Sequence, residues 1–282
     1  MTMNILGIDF EDWYHPELIK NYVKNEKKIP QVYKGIDTIL DLLNKHEISA
    51  TFFVVGELLE HEPELLDKII SNDHEIGFHT MHHDRIDSPN FLNGFGDELE
   101  LFDKLTNHKS KGFRAPTFSL NKQSSRAIEI LEKYNYIYDS SIIPAKTSMY
   151  GNPDAEKKPY KITSQNLDHD SKNGKLWEFP LTVSKVLGKT IPTAGGFYLR
   201  TLPLYVIKNA IKKYEKEEIP ACFYVHSWEL TPELMPRIRL PKKSSFITYH
   251  NIEKTLPKLD KILSFFKFTS FENFLNKSDY FN

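Results

Sequence analysis

An α/β fold built around a parallel sheet or barrel is predicted by two features of the sequence. Short apolar runs alternate with longer stretches of helical periodicity, the pattern of repeated βαβ units. Polar, ionisable residues also gather at the same end of five of those runs, where the functional loops of such folds lie. The first run, NILGIDF at 4–10, is followed by Val32, Ile36, Ile39, Leu40 and Leu43 on one helical face. A second run, ATFFVVG at 50–56, leads into Leu58, Leu59, Leu65, Leu66, Ile69 and Ile70 at similar spacing, broken near Pro63. Further strands are expected at 74–79, 111–116, 136–142, 175–181 and 221–226. Helices are expected around Ala127–Tyr134 and Val206–Ile211. The stretch 143–174 is polar, rich in Lys, Asn, Asp, Ser and Pro, and reads as a loop or insertion inside one domain spanning 1–282.

Composition narrows the function classes. The 282 residues are 40% hydrophobic and 27% charged, ordinary for a soluble globular chain. Lys plus Arg number 37 against 38 Asp plus Glu, a net charge of −1, which argues against a nucleic-acid or membrane-surface footprint. The one cysteine, Cys222, excludes an internal disulfide and any cysteine-rich zinc motif, and its apolar setting ACFYV suits an inert buried thiol. No run approaches the roughly 18 apolar residues of a membrane span. The start, MTMNILGIDFEDWY, reads as a strand and not as a secretory leader, so the expected address is the cytoplasm.

The chemistry sits at the strand ends. Asp9, Glu11 and Asp12 follow the first strand, and alternation puts Asp9 and Glu11 on one face, where adjacent carboxylates repel unless a cation joins them. In GFHTMHHDR, 77–85, His79 and His83 are four apart, a spacing that can bring two imidazoles to one metal. The general-base Glu of an HExxH motif is absent here. A carboxylate from another strand would complete a three-ligand site with open positions. The remaining strands end in Arg114-Ala115-Pro116, Asp139-Ser140-Ser141 and His226-Ser227-Trp228-Glu229.

Taken in order, IDFED, HTMHH, RAP and FYVH resemble the motifs of the polysaccharide deacetylases, the NodB-homology or carbohydrate esterase family 4 group. The resemblance runs from Asp9 to His226 and favours the branch of cytoplasmic or exopolysaccharide-locus members. It implies a distorted (β/α)7-type barrel and a hydrolase that removes the N-acetyl group from an amino sugar in a polysaccharide or its biosynthetic intermediate. It implies one divalent metal, zinc before cobalt or manganese, held by His79, His83 and either Glu11 or Asp12, with Glu11 favoured for sharing a face with Asp9. Asp9 becomes the base that takes a proton from the attacking water, Arg114 its orienting partner, and His226 the acid that protonates the leaving amine. The Thr117 N–H after Pro116 would face the oxyanion. Asp139 is expected to orient His226, and Phe118, Tyr198, Arg200 and Trp228 to line the sugar site, with Trp13, Tyr14 and His15 as further wall candidates. The chain departs from the commoner TFDDG and RxPY/W patterns, having IDFEDW and RAPTF. The expected partner is an acetylated sugar or glycan, with no nucleic acid; the oligomeric state stays open. Rival readings are a deformylase or amidase on a non-polysaccharide substrate, and a carbohydrate-binding protein with a degenerate site.

Overall fold

Strand β1 (Asn4–Phe10) is buried along its whole length, as a strand covered on both faces must be. The computed structural model describes residues 2–24, 28–147 and 149–277. After β1 and the short α1 (Glu17–Lys20), α2 (Val32–Lys45) leads to β2 (Thr51–Val54). Two short helices, α3 (Glu57–His61) and α4 (Glu64–Ile70), flank Pro63 and lead to β3 (Glu75–Phe78), then α5 (Phe91–Leu105) and β4 (Gly112–Phe113). Next come α6 (Ala127–Lys133), β5 (Tyr138–Asp139), β6 (Tyr160–Ile162), β7 (Leu176–Glu178) and the hairpin of β8 (Val183–Val186) with β9 (Lys189–Pro192). The chain continues through α7 (Gly196–Thr201), α8 (Leu204–Lys216), β10 (Cys222–His226), α9 (Ser227–Leu230), α10 (Lys242–Tyr249) and α11 (Thr255–Phe265). It closes with β11 (Phe268–Thr269) and α12 (Phe271–Lys277).

Strand order is β10–β1–β2–β3–β4–β5–β7–β6, with β11 pairing the start of β1, and the sheet curls as a half-barrel. All pairings in it are parallel except β6 with β7. Every parallel strand therefore ends on the same side, which brings Asp9, His79, Arg114 and His226 together. Register sharpens this, because Asp9 lies directly opposite His226 on the neighbouring strand. At the other end, α12 plugs the barrel: Phe271 stacks on Tyr138 with ring centroids 5.0 Å apart and meets Phe53 and Phe179 edge-on. No helix among the described residues is long and apolar enough to cross a membrane.

The α/β class and the barrel expectation hold, while several strands are shorter than expected, β4 and β5 having two residues each. Several elements lie outside the sequence reading. Helix α5 carries Phe95, Leu99 and Phe102 on its buried face, and Gly94 and Gly96 in its first half disguise it. The hairpin β8–β9, strand β11 and the C-terminal helices are too short or too weakly patterned to stand out. The polar stretch 143–174 is ordered through β6 and a buried set that includes Ala145, Ala155, Tyr160, Ile162 and Leu167.

Candidate active site

One cavity of about 120 Å³ opens where the parallel strands end. Asp9, Glu11, His79, His83, Thr117 and His226 line it. Glu11, His79 and His83 bring one ligand atom each to within 4.8 Å of the others, and all three residues are buried. His83 Nε2 lies 2.6 Å from Glu11 Oε2. His79 Nδ1 donates to the Arg114 carbonyl at 2.6 Å, which fixes the ring and leaves Nε2 free for a ligand. Burial pushes His79 down to about 4, so its imidazole is neutral near pH 7, the form that binds metal. Burial alone would raise Glu11, but the charge and hydrogen bond of His83, with His226 and His79 behind them, hold it well below the usual carboxylate range. Two neutral-capable imidazoles and an ionised carboxylate, converging and dry, form a donor set that fits a divalent cation.

Asp9 stands beside this triad with its carboxylate fixed from behind. Arg114 Nη1 donates to Asp9 Oδ1 at 2.7 Å, while Nε and Nη2 donate to the carbonyl and hydroxyl of Ser140 at 2.9 and 2.8 Å. The guanidinium is fully buried and lies 4.2 Å from the Phe53 ring centroid. Gly7 makes that space, since a Cβ there would meet Arg114 Nη1 at 2.7 Å.

The turn His226-Ser227-Trp228-Glu229 supports the opposite wall, each residue by a different contact. His226 Nε2 reaches within 4.0 Å of Asp9 Oδ2 and 3.9 Å of Glu11 Oε1. Its Nδ1 is 2.7 Å from Glu229 Oε2. Burial works against a charge on His226, and the Glu229 carboxylate, helped by Glu11 and Asp9, outweighs it and lifts the imidazolium to about 9. Glu229 is paired in turn with the buried Arg200 guanidinium. Gly196 permits the approach, because a Cβ there would strike the Glu229 carboxylate. The Ser227 hydroxyl accepts from the Glu11 N–H at 3.0 Å and donates to its carbonyl. Trp228 donates its indole N–H to Glu11 Oε1 at 2.9 Å and stacks against His226.

Three residues of the same rim have a left-handed backbone. His83, Thr117 and Phe118, all lining the cavity, have φ of 55, 54 and 51°, a left-handed conformation that is an outlier for a β-branched or bulky residue. No hydrogen bond to the Thr117 N–H is found among the described residues, so it remains available beside the cavity.

Several expected roles change place. Asp12 is turned away from the histidines: its carboxylate accepts from the N–H groups of Trp13, Gln31 and Val32 and thereby caps α2. Asp139 does not reach His226, because β5 lies four strands away from β1; it accepts instead from the Ser141 hydroxyl at 2.6 Å and neighbours Glu178 on β7. Glu229 holds the place expected for Asp139, a role hidden in the sequence because a short turn folds residue i+3 back onto residue i. Arg200 supports Glu229 and several backbone carbonyls and does not present a free guanidinium to the cavity. Its neighbour Phe197 lines the cavity in place of Tyr198, and Pro116 is buried behind Thr117. Trp13 and Tyr14 pack with Ile19 and Trp228 in a small apolar cluster, and His15 bonds Glu57 at 2.7 Å while stacking over His83.

Residues 12–138 match the family profile "polysaccharide deacetylase", and residues 140–276 match a domain of unknown function, DUF3473. The first match contains His79, His83 and Arg114, with Asp9 and Glu11 just ahead of it. Among curated relatives, a chitooligosaccharide deacetylase from Bradyrhizobium sp. is 42% identical over 45 residues, 16% of this chain and 20% of the relative. A peptidoglycan-N-acetylglucosamine deacetylase from Bacillus cereus is 32% identical over 81 residues, 28% of this chain and 30% of the relative. Another from Listeria monocytogenes is 22% identical over 216 residues, 64% of this chain and 46% of the relative. The aligned stretches thus span less than half the length of these relatives. In solved structures, a candidate polysaccharide deacetylase from Mycobacterium smegmatis shares the fold at a TM-score of 0.61 and 13% identity, covering 98% of this chain and 90% of that one. An allantoinase shares it at 0.54 and 14%, covering 98% and 92%. Residues 12–138, the segment that carries His79, His83 and Arg114, are thus similar to the polysaccharide deacetylases, and the half-barrel fold is the one found in the Mycobacterium smegmatis structure.

Proposed function

We propose that this chain is a metal-dependent N-deacetylase of an acetylated amino sugar. The observation that carries the reading is the convergence of Glu11, His79 and His83 on one cavity wall, between an arginine-bound Asp9 and a carboxylate-bound His226. The three converging groups would hold a divalent cation, zinc in this reading, which would supply Lewis acidity and lower the pKa of a bound water. Asp9 is the base: Arg114 points its carboxylate and leaves Oδ2 facing the cavity for the proton of the attacking water. His226 carries the proton that the departing amine needs, and Glu229 keeps that proton on the ring as the carbonyl adds water. The free N–H of Thr117 donates to the oxygen that gains charge as the carbonyl becomes tetrahedral. Burial of Asp9, Glu11, Arg114 and Glu229 keeps bulk water from these groups and strengthens their contacts.

The test is direct. Zinc-loaded protein is assayed for acetate release from N-acetylated amino sugars, free and oligomeric, with bound metal measured by elemental analysis. About one metal per chain with acetate release supports the reading. Metal without turnover of any such sugar overturns it, and formate release from N-formyl sugars would redirect it to a deformylase.

A further inference from the structure

The cavity mouth is flanked by a lip that packs apart from the barrel core. Pro16, Glu17 and Leu18 line the cavity on one side, Ile247 and Thr248 on the other. Their helices, α1 and α10, touch each other. Both rest on the small apolar cluster of Trp13, Tyr14, Ile19 and Trp228, and Val23, Ile238, Leu240 and Tyr249 pack on its outside.

The outer face of this lip is cationic. Arg237 and Arg239 are exposed and alternate with half-buried Ile238 and Leu240, so the apolar pair anchors the strap and leaves the guanidiniums in solvent. Lys242 and Lys243 follow, both exposed, in the first turn of α10. Their charge adds to the positive end of the helix dipole, at a cost to the helix. From 236 to 250 the chain has these four cations and no acid. None of the four makes an ion pair among the described residues, although Arg237 lies over the Tyr249 ring at 4.4 Å. On the α1 side Lys20 is paired with Glu17, while exposed Lys24 has no ion pair among the described residues. The chain's net charge of −1 averages this local surplus away.

Apolar side chains stand among the cations. Phe246 on α10 is 52% exposed, Tyr22 just after α1 is 52% exposed and Ile29 is 61% exposed. Phe246 stacks on His250 at 4.5 Å and meets Phe197, which lines the cavity, at 6.3 Å, so it stands on the rim itself. Ile29 is tied to the small cluster by its carbonyl, which accepts from the Trp13 indole at 3.1 Å. A soluble polyanion would need only the cations. Aromatic and aliphatic groups set between cations match a surface with phosphates at headgroup level and acyl chains beneath.

We propose that this lip is a docking face for an anionic lipid surface, and that docking turns the cavity mouth toward that surface. The attachment is peripheral and does not depend on which bond is broken in the cavity.

The probes are vesicles of phosphatidylcholine alone and of phosphatidylcholine mixed with phosphatidylglycerol, with bound protein measured by flotation at low and at physiological salt. Binding to the anionic vesicles, weakening as salt rises, is the expected result. Lys242→Ala combined with Lys243→Ala should lower the partition coefficient roughly 25-fold, about fivefold for each cation removed. Phe246→Ser and Ile29→Ser should weaken binding while leaving its salt dependence unchanged. Each changed side chain is exposed, so folding is not at stake. Acetate release from a soluble sugar, measured without vesicles, should be the same in the double lysine variant as in the parent, which separates failure of docking from failure of the deacetylase reading. No binding to anionic vesicles at low salt, equal binding to neutral ones, or binding unmoved by the lysine pair overturns the proposal. Binding of soluble polygalacturonate that the lysine pair abolishes, with vesicle binding indifferent to Phe246→Ser and Ile29→Ser, also overturns it and makes the lip a polyanion site.

Discussion

The two ends of the half-barrel each bury an acid, and they treat it in opposite ways. At the end where the strands finish, Glu11 is held charged chiefly by its close contact with His83 and by the protonated His226, around a cavity. At the end where they start, Glu75 accepts from the Thr51 hydroxyl, from the Tyr138 hydroxyl at 2.6 Å and from the Glu272 N–H at 2.9 Å, under the α12 plug. Burial there outweighs those three donors and raises Glu75 to about 7. Both acids are buried and both are hydrogen-bonded, so neither property marks a reactive site. Histidine partners and an open cavity do, and of these two acids only Glu11 has them.

Breaking the charged end has the largest expected effect. His79→Ala combined with His83→Ala should take bound metal from about one per chain to none, with acetate release lost alongside it. Asp9→Asn keeps the three converging ligands, so it should retain metal while kcat drops by roughly 10²–10⁴-fold, the usual worth of a general base. Metal loss in that variant would make Asp9 a ligand and redraw the site. Trp228→Phe removes the indole N–H from Glu11 and should weaken metal binding about 10–100-fold, read by competition with a chelating dye.

Subtler changes shift pH profiles. His226 holds its proton to about 9, so activity that needs the protonated ring falls as pH rises through that value. Glu229→Gln removes the carboxylate that outweighs burial, and the alkaline limb of kcat/KM should move to lower pH; an unmoved limb would show that another group carries it. At the plugged end the readout is stability. With an ordinary value of 4.5 and a folded value near 7, Glu75 keeps its proton longer in the folded chain than in the unfolded one. The folded state therefore binds more protons between about 4.5 and 7, and stability should fall as pH rises across that window, then level off. In Glu75→Gln the fall should disappear from denaturant titrations at pH 5 and 8, with little change in acetate release.

Much of the charged end was legible because strands of parallel sheets finish together, so Asp9, His79, Arg114 and His226 could be grouped from their positions after apolar runs. Choosing between Glu11 and Asp12 required knowing that α2 begins where its N–H groups can capture Asp12. Glu229 was visible at a strand end, but its hold on His226 was not, because the two are three residues apart on a turn too short to leave a periodic pattern, whereas Asp139 looked apt only through its place at a strand end. The plug at the other end left almost no trace, since Phe271 and Phe274 lie on a seven-residue helix after a two-residue strand.

The two family matches meet between residues 138 and 140, within β5. That seam runs through a continuous sheet in which β1, just ahead of the first match, is hydrogen-bonded to β10, inside the second, over five register pairs. Separating the halves would strip one side of β1 of its backbone partners and bare an apolar strand edge prone to pairing with other chains. It would also leave Glu11, His79 and His83 in one piece and His226 in the other. Grafting or shuffling at this seam therefore has to carry β10 and its HSWE turn along with β1, because the unit of inheritance that works is the strand pair and not either sequence module.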